Sequence, residues 1–94
     1  MKIYLDDVRE CPDDWTLAKT AYEAIALLSS GFVTAISLDH DLGENYTGYD
    51  VAEYIERGAY EGWLPRLNWY IHSGNIVGRA KMEAALRNAR RFMM

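Results

Sequence analysis

Three short apolar segments that each run into titratable side chains constrain this chain more than any other feature. The central one, Phe32-Val33-Thr34-Ala35-Ile36, reads as a strand buried on both faces, and it continues through Ser37-Leu38 into Asp39-His40-Asp41. Ile3-Tyr4-Leu5 runs into Asp6-Asp7, and Trp69-Tyr70-Ile71 runs into His72-Ser73. Ionised carboxylates are unfavourable out of water unless paired or metal-bound, so a buried strand has no packing reason to end this way. One such ending is what any strand gives when it emerges into solvent and acids cap the loop. Three of them point to a common site.

The segments between these strands have helical character. Thr20 with Glu23 three residues on has the capping-box form and opens a helix through Leu28, with Ala21, Ile25 and Leu28 on one face and Ser29-Ser30-Gly31 as its stop. Thr47 with Asp50 starts a second helix whose apolar stripe is Val51, Ala52, Ile55 and Ala59, ended by Gly62 to Pro65. Asn75 is placed to cap a third, lined by Met82, Ala85, Leu86, Ala89 and Met93. Trp15 to Lys19 alternates large apolar and polar residues, as a half-exposed edge strand does. Strands separated by helices imply parallel pairing with helices on both faces. The expected fold is therefore a small α/β three-layer sandwich, residues 1–94 forming one domain. Its four mostly parallel strands run in order 2-1-3-4 with three helices. The link from Asp7 to Trp15 is short for a parallel crossover, which leaves an antiparallel first pair open. In such sheets ligands sit beyond the carboxyl ends of the strands, where the titratable groups lie.

Charge is distributed unevenly. Residues 1–74 hold thirteen acids against five Lys/Arg, whereas residues 75–94 hold five Lys/Arg against Glu83 alone. An acidic body excludes non-specific duplex DNA binding, and a phosphate substrate would need a cation or a local donor set to receive it. No apolar run is long enough to span a membrane, the N-terminus lacks a signal-peptide pattern, and the single cysteine, Cys11, has no internal partner. These features place the expected protein in the cytoplasm, with oligomeric state left open.

The ordered set Leu5-Asp6-Asp7-x-Arg9, Trp15, Glu23-Ala24-Ile25, Ser37 to Gly43, Thr47-Gly48-Tyr49-Asp50 and Ile71-His72-Ser73 with Asn75 resembles the cyclic-phosphate-processing receiver-like domains. That family looks like a trimmed response-regulator receiver of flavodoxin-like architecture. In receivers an acidic pair on the first strand binds a divalent cation and an aspartate on the third accepts phosphate. A hydroxyl residue follows the fourth strand, and a lysine ends the fifth. The resemblance implies that Asp6 and Asp7 match the acidic pair, Asp39 the acceptor and Ser73 the hydroxyl. The chain departs from receivers by having no fifth strand and no lysine in that place, and by adding His40 and His72. Both departures move the expectation from phospho-switch towards hydrolysis or ligand binding.

Asp6, Asp7, Asp39 and Asp41 make an oxygen-rich set that would raise one another's pKa values without a cation; Mg²⁺ or Mn²⁺ would relieve this, and a histidine ligand would shift the preference to Mn²⁺ or Zn²⁺. His72 precedes a helix start where Ser73, Asn75 and backbone N–H groups are placed to receive a phosphate, and it is the expected proton donor to a leaving oxygen. On an extended strand His40 points away from Asp39 and Asp41, which leaves it open between catalysis and a supporting contact. Arg9 is read either as a phosphate clamp or as an ion-pair partner of Asp7 or Asp13. Thr47 and Gly48 are candidate substrate contacts on a loop flanked by Tyr46 and Tyr49, whose rings are candidates to stack on a base. With the substrate class taken from the resemblance, the expected activity is a metal-assisted phosphoesterase, a hydrolase of the cyclic phosphodiesterase type. Its substrate would be a cyclic phosphate of a nucleotide or RNA end. The alternative is a non-catalytic receiver-like signalling or nucleotide-binding domain.

Overall fold

Four parallel strands and three helices alternate in the computed structural model, which describes residues 1–93. The strands are β1 (Lys2–Leu5), β2 (Thr16–Ala18), β3 (Ala35–Leu38) and β4 (Asn68–Ile71), and the helices α1 (Ala21–Leu28), α2 (Gly48–Glu61) and α3 (Ile76–Arg90). The sheet runs β2-β1-β3-β4, as the sequence implies, and no fifth strand follows among the described residues. The first pair is parallel too: Ile3, Tyr4 and Leu5 lie opposite Thr16, Leu17 and Ala18. Residues 6–15 therefore make a parallel connection with no helix in it. No helix among the described residues is long and apolar enough to cross a membrane.

Each helix begins where a side chain can satisfy an orphan N–H. Thr20 caps α1 by accepting from Glu23 N, and Thr47 and Asp50 complete a reciprocal capping box on α2. Asn75 caps α3, its Oδ1 accepting from Gly78 N at 2.9 Å. Val51, Ala52, Ile55 and Ala59 of α2 are buried, and so are Met82, Ala85, Leu86 and Ala89 of α3.

Among the described residues the helices all cover one face of the sheet, which corrects the expected third layer. Because paired residues of parallel strands point to the same side, Ile3, Leu5, Ile36, Leu38 and Ala18 share one face. They form a single apolar core with residues of α1, α2 and α3, while Ala35 and Ser37, also buried, lie outside that core. Lys2, Tyr4, Leu17, Ser37 and Tyr70 belong to the other face, where Tyr70 is 54% exposed. The reason is topological. β2 to β3 and β3 to β4 step in the same direction across the sheet, and right-handed crossovers then lay both helices on the same side. Trp15 partly shields the open face, its ring lying edge-on to Tyr4 and Tyr70 at 6.4 and 6.3 Å.

The central strand is also shorter than the apolar run that announces it. Phe32 is exposed and precedes the strand, while Thr34 N donates to Met1 O and Met1 N to Phe32 O. That segment is tied to the N-terminus and enters the ladder only at Ala35.

Candidate functional site

The carboxyl ends of β1, β3 and β4 converge, and the side chains immediately beyond them form one polar cluster. Asp6 is its most constrained member, 1% exposed. Its Oδ1 accepts from the backbone N–H groups of Val8 and Arg9, each at 2.8 Å, while Oδ2 faces the Arg9 guanidinium at 3.3 Å and His72 Nε2 at 3.0 Å. Burial opposes ionisation, but the N–H groups of Arg9 and Val8 and the His72 ring outweigh it and hold the Asp6 carboxyl below its ordinary range. Oxygens of Asp6, Asp7 and Asp39 lie within 4.8 Å of one another.

Arg9 sits over this trio. Its Nη1 donates to Asp6, lies 3.9 Å from Asp39 Oδ1 and donates to the carbonyl of His72 at 2.6 Å. The ion-pair partners are thus Asp6 and Asp39, where the sequence points to Asp7 or Asp13. The Arg9 side chain remains about half exposed.

The two histidines occupy different surroundings. His72 is held at both ring nitrogens, Nε2 by Asp6 and Nδ1 by Ser37 Oγ at 2.7 Å, and it stacks on Tyr4 with centroids 4.3 Å apart and planes within 4°. Desolvation lowers its pKa below the usual histidine value, against the opposing pull of Asp6. His40 lies beyond the end of β3 and turns towards α3, where its ring rests on Gly78. Its Nδ1 is 2.9 Å from Asp41 Oδ1, and Asn75 Nδ2 donates to both Asp41 oxygens at 3.3 Å. These contacts, His40 first and Asn75 second, lower the Asp41 pKa.

The acids expected as one set of four are therefore divided. Asp6, Asp7 and Asp39 come together, whereas Asp41 turns its carboxylate to His40 and Asn75 and is 69% exposed at its side chain. Ser73 is buried, its Oγ accepting from Asn75 N at 3.0 Å. Asn75 is engaged as cap and as partner of Asp41. Thr47 is committed to the capping box, and Gly48 lets α2 approach β3: a Cβ there would stand 1.9 Å from the Asp39 carbonyl oxygen. The Tyr49 ring lies under Lys81 Nζ at 4.4 Å, and Tyr46 is exposed. A cleft of about 690 Å³ runs over the outer side of α2, lined by Ile25, Glu53, Tyr54, Arg57 and Asn88, and includes none of the strand-end residues.

A family model described as Cyclic-phosphate processing Receiver domain matches residues 1–88. The chain belongs to this family. No curated protein and no solved structure matches it. Within this receiver domain the residue to which sequence reasoning gives no role of its own, beyond its place in the segment Ser37 to Gly43, is Ser37. Its signal is a lone hydroxyl in an otherwise apolar strand, at the register of Tyr4 and Tyr70. Alternation assigns it to the sheet face away from the core, the face that His72, two residues beyond Tyr70, also takes, and the structure shows the two side chains in contact.

The trio of oxygens suits a hard divalent ion in chemistry, each carboxylate able to offer one oxygen, with other ligands needed to complete the coordination. Asp6 is fixed by backbone donors before any ion arrives, whereas Arg9 is a cation already in that space. An ion held by Asp6, Asp7 and Asp39 would compete with the guanidinium, whose Nη1 lies 3.3 Å from Asp6 and 3.9 Å from Asp39.

Proposed function

We propose that this domain is a phosphoesterase that opens or hydrolyses a cyclic phosphate of a nucleotide or RNA end. The observation that supports it best is the convergence of Asp6, Asp7 and Asp39 beneath Arg9 at the strand ends, in a chain of the cyclic-phosphate processing family. Arg9 is the group that receives the phosphate, its planar fork matching two phosphoryl oxygens. Bound Mg²⁺ or Mn²⁺, held by Asp6, Asp7 and Asp39, would supply charge neutralisation at the phosphoryl oxygens. The capped start of α3 closes the opposite side, with Asn75 and Asp41 holding His40 against Gly78. Proton transfer then falls to a ring nitrogen free of other partners. His72, engaged at both ring nitrogens, is poorly placed to protonate a leaving oxygen directly.

The deciding experiment is incubation with a panel of 2′,3′-cyclic and 3′,5′-cyclic nucleotides and RNA ends, with and without divalent ions. Cation-dependent ring opening that disappears in Asp39→Asn supports the reading; substrate recovered intact across the panel refutes it. A second reading, phosphorylation on Asp39, draws on the Arg9 guanidinium 3.9 Å away as a fixed positive charge. An acid-labile adduct on Asp39 after treatment with a small phosphodonor would favour it.

A further inference from the structure

We infer that His72 is a positioning residue, which with Ser37 fixes the Asp6 carboxylate, and that His40 Nε2 is the histidine nitrogen left open to substrate. The inference rests on the phosphoesterase reading for its functional meaning but on hydrogen-bond geometry for its content.

The direction of each hydrogen bond follows from the acceptors. Asp6 is a carboxylate with two backbone N–H groups at Oδ1, so it has no proton to give, and the proton in the 3.0 Å contact belongs to His72 Nε2. A neutral ring with its proton on Nε2 has a lone pair on Nδ1, so the 2.7 Å contact is a hydrogen bond donated by the Ser37 hydroxyl. Ser37 is 7% exposed and makes no other side-chain hydrogen bond among the described residues. The Tyr4 stack fixes the ring plane. Ser37, His72 and Asp6 thus form a chain whose protons all point towards Asp6. Carboxylates that receive phosphate or metal are commonly held by such outer partners, and loss of a partner weakens the site without removing it.

His40 is wired in the opposite sense. Its Nδ1 faces the Asp41 carboxylate at 2.9 Å and the Asn75 Nδ2 amide at 3.5 Å; the closer, charged acceptor fixes the proton on Nδ1, and no described residue bonds to Nε2. That arrangement leaves Nε2 with its lone pair available, one residue from Asp39 and beside the capped start of α3. His40 carries the features of a proton-handling histidine: one nitrogen oriented by a carboxylate, the other unengaged.

The test has two arms on the full chain. Long-range ¹H–¹⁵N spectra of the two histidines, assigned with His40→Gln, should show opposite tautomers, the proton on Nε2 in His72 and on Nδ1 in His40. Like tautomers, or a His72 ring averaging between the two, would overturn the inference. In the second arm His72→Gln, which keeps an N–H for Asp6 but cannot shuttle protons, should retain cyclic-phosphate turnover within a few-fold. His72→Ala should lose roughly 10–100-fold, as loss of a supporting partner does. If His72→Gln instead falls as far as His72→Ala, by about 10²–10⁴-fold, His72 is the proton carrier and the inference is wrong. Wild-type protein without turnover on any cyclic phosphate counts against the phosphoesterase reading alone; opposite tautomers would still support the locked His72.

Discussion

His72 illustrates how one side chain couples the site to the stability of the fold. Its pKa is lowered in the folded state from an ordinary value of 6.5, so the unfolded chain binds more protons in the interval just below that value. Stability from this group is complete above about pH 6.5 and is lost as pH falls through the lowered folded pKa. Asp6 acts in the same direction further down: its pKa is depressed from 3.8, and its contribution, present above that value, is lost as pH falls through the depressed one. Chemical denaturation between pH 7.5 and 5 should therefore show stability declining as the solution is acidified. His72→Gln should flatten the decline between about pH 6.5 and 5, because the uncharged amide keeps a donor for Asp6 and has nothing to titrate. An unchanged slope would mean that burial of the ring does not carry the pH dependence. Of the residues at this site, the acids and histidines were legible in the sequence because buried strands rarely end in such groups. Their partners were not. Nothing in the order of residues shows that Arg9 reaches across to β4, that Ser37 meets a ring 35 positions away, or that Asp41 leaves its neighbours for Asn75.

At the scale of elements, periodicity and capping located all three helices, because each begins at a side chain able to accept from its first turn. The exit of the central strand was legible but its start was not, since apolar residues tied to the N-terminus look the same in sequence as apolar residues in a ladder. The missing layer was hidden for a different reason: strand order and handedness, rather than composition, decide which face a crossover covers. Burial in β3 gives a direct check. Ile36→Ala or Leu38→Ala should cost about 2–5 kcal/mol, whereas exposed Lys19→Ala, beyond the end of the edge strand, should change stability by about 0.5 kcal/mol or less. Comparable losses at all three positions in urea denaturation would contradict the placement of the core. The seating of α3 gives another. A Cβ at Gly78 would stand 2.3 Å from the His40 ring, so Gly78→Ala should destabilise by about 1–3 kcal/mol despite the better helix propensity of alanine. His40→Ala in the same chain should recover most of that loss, since removing the ring opens the space. Additive losses in the double variant would show that the ring does not bear on Gly78.

For the molecule as a whole, the acidic body and the Arg9 guanidinium at its strand ends set up a competition that stability can report. Anything that binds the folded state alone stabilises it by mass action, by about 2.7 kcal/mol at a hundredfold excess over Kd, and so raises the melting temperature. Millimolar Mg²⁺ or Mn²⁺ should do so if Asp6, Asp7 and Asp39 hold the ion, and Asp39→Asn should weaken the response while leaving the fold intact. Arg9 makes the prediction more specific, because its Nη1 already lies 3.3 Å from Asp6 and 3.9 Å from Asp39. In the cation-free protein, Arg9→Ala removes the charge that offsets three neighbouring carboxylates, so its melting temperature should fall. With the divalent ion present, the same variant should gain more than the wild type, because no guanidinium has to be displaced before the ion enters. The two effects have opposite signs, and an acidic rim that merely attracts ions without binding them predicts only the first. Titration calorimetry on both proteins decides between them: tighter divalent binding by Arg9→Ala than by wild type supports a shared position for ion and guanidinium. Equal binding would place the ion elsewhere, and no binding to either would remove the metal from the proposed chemistry.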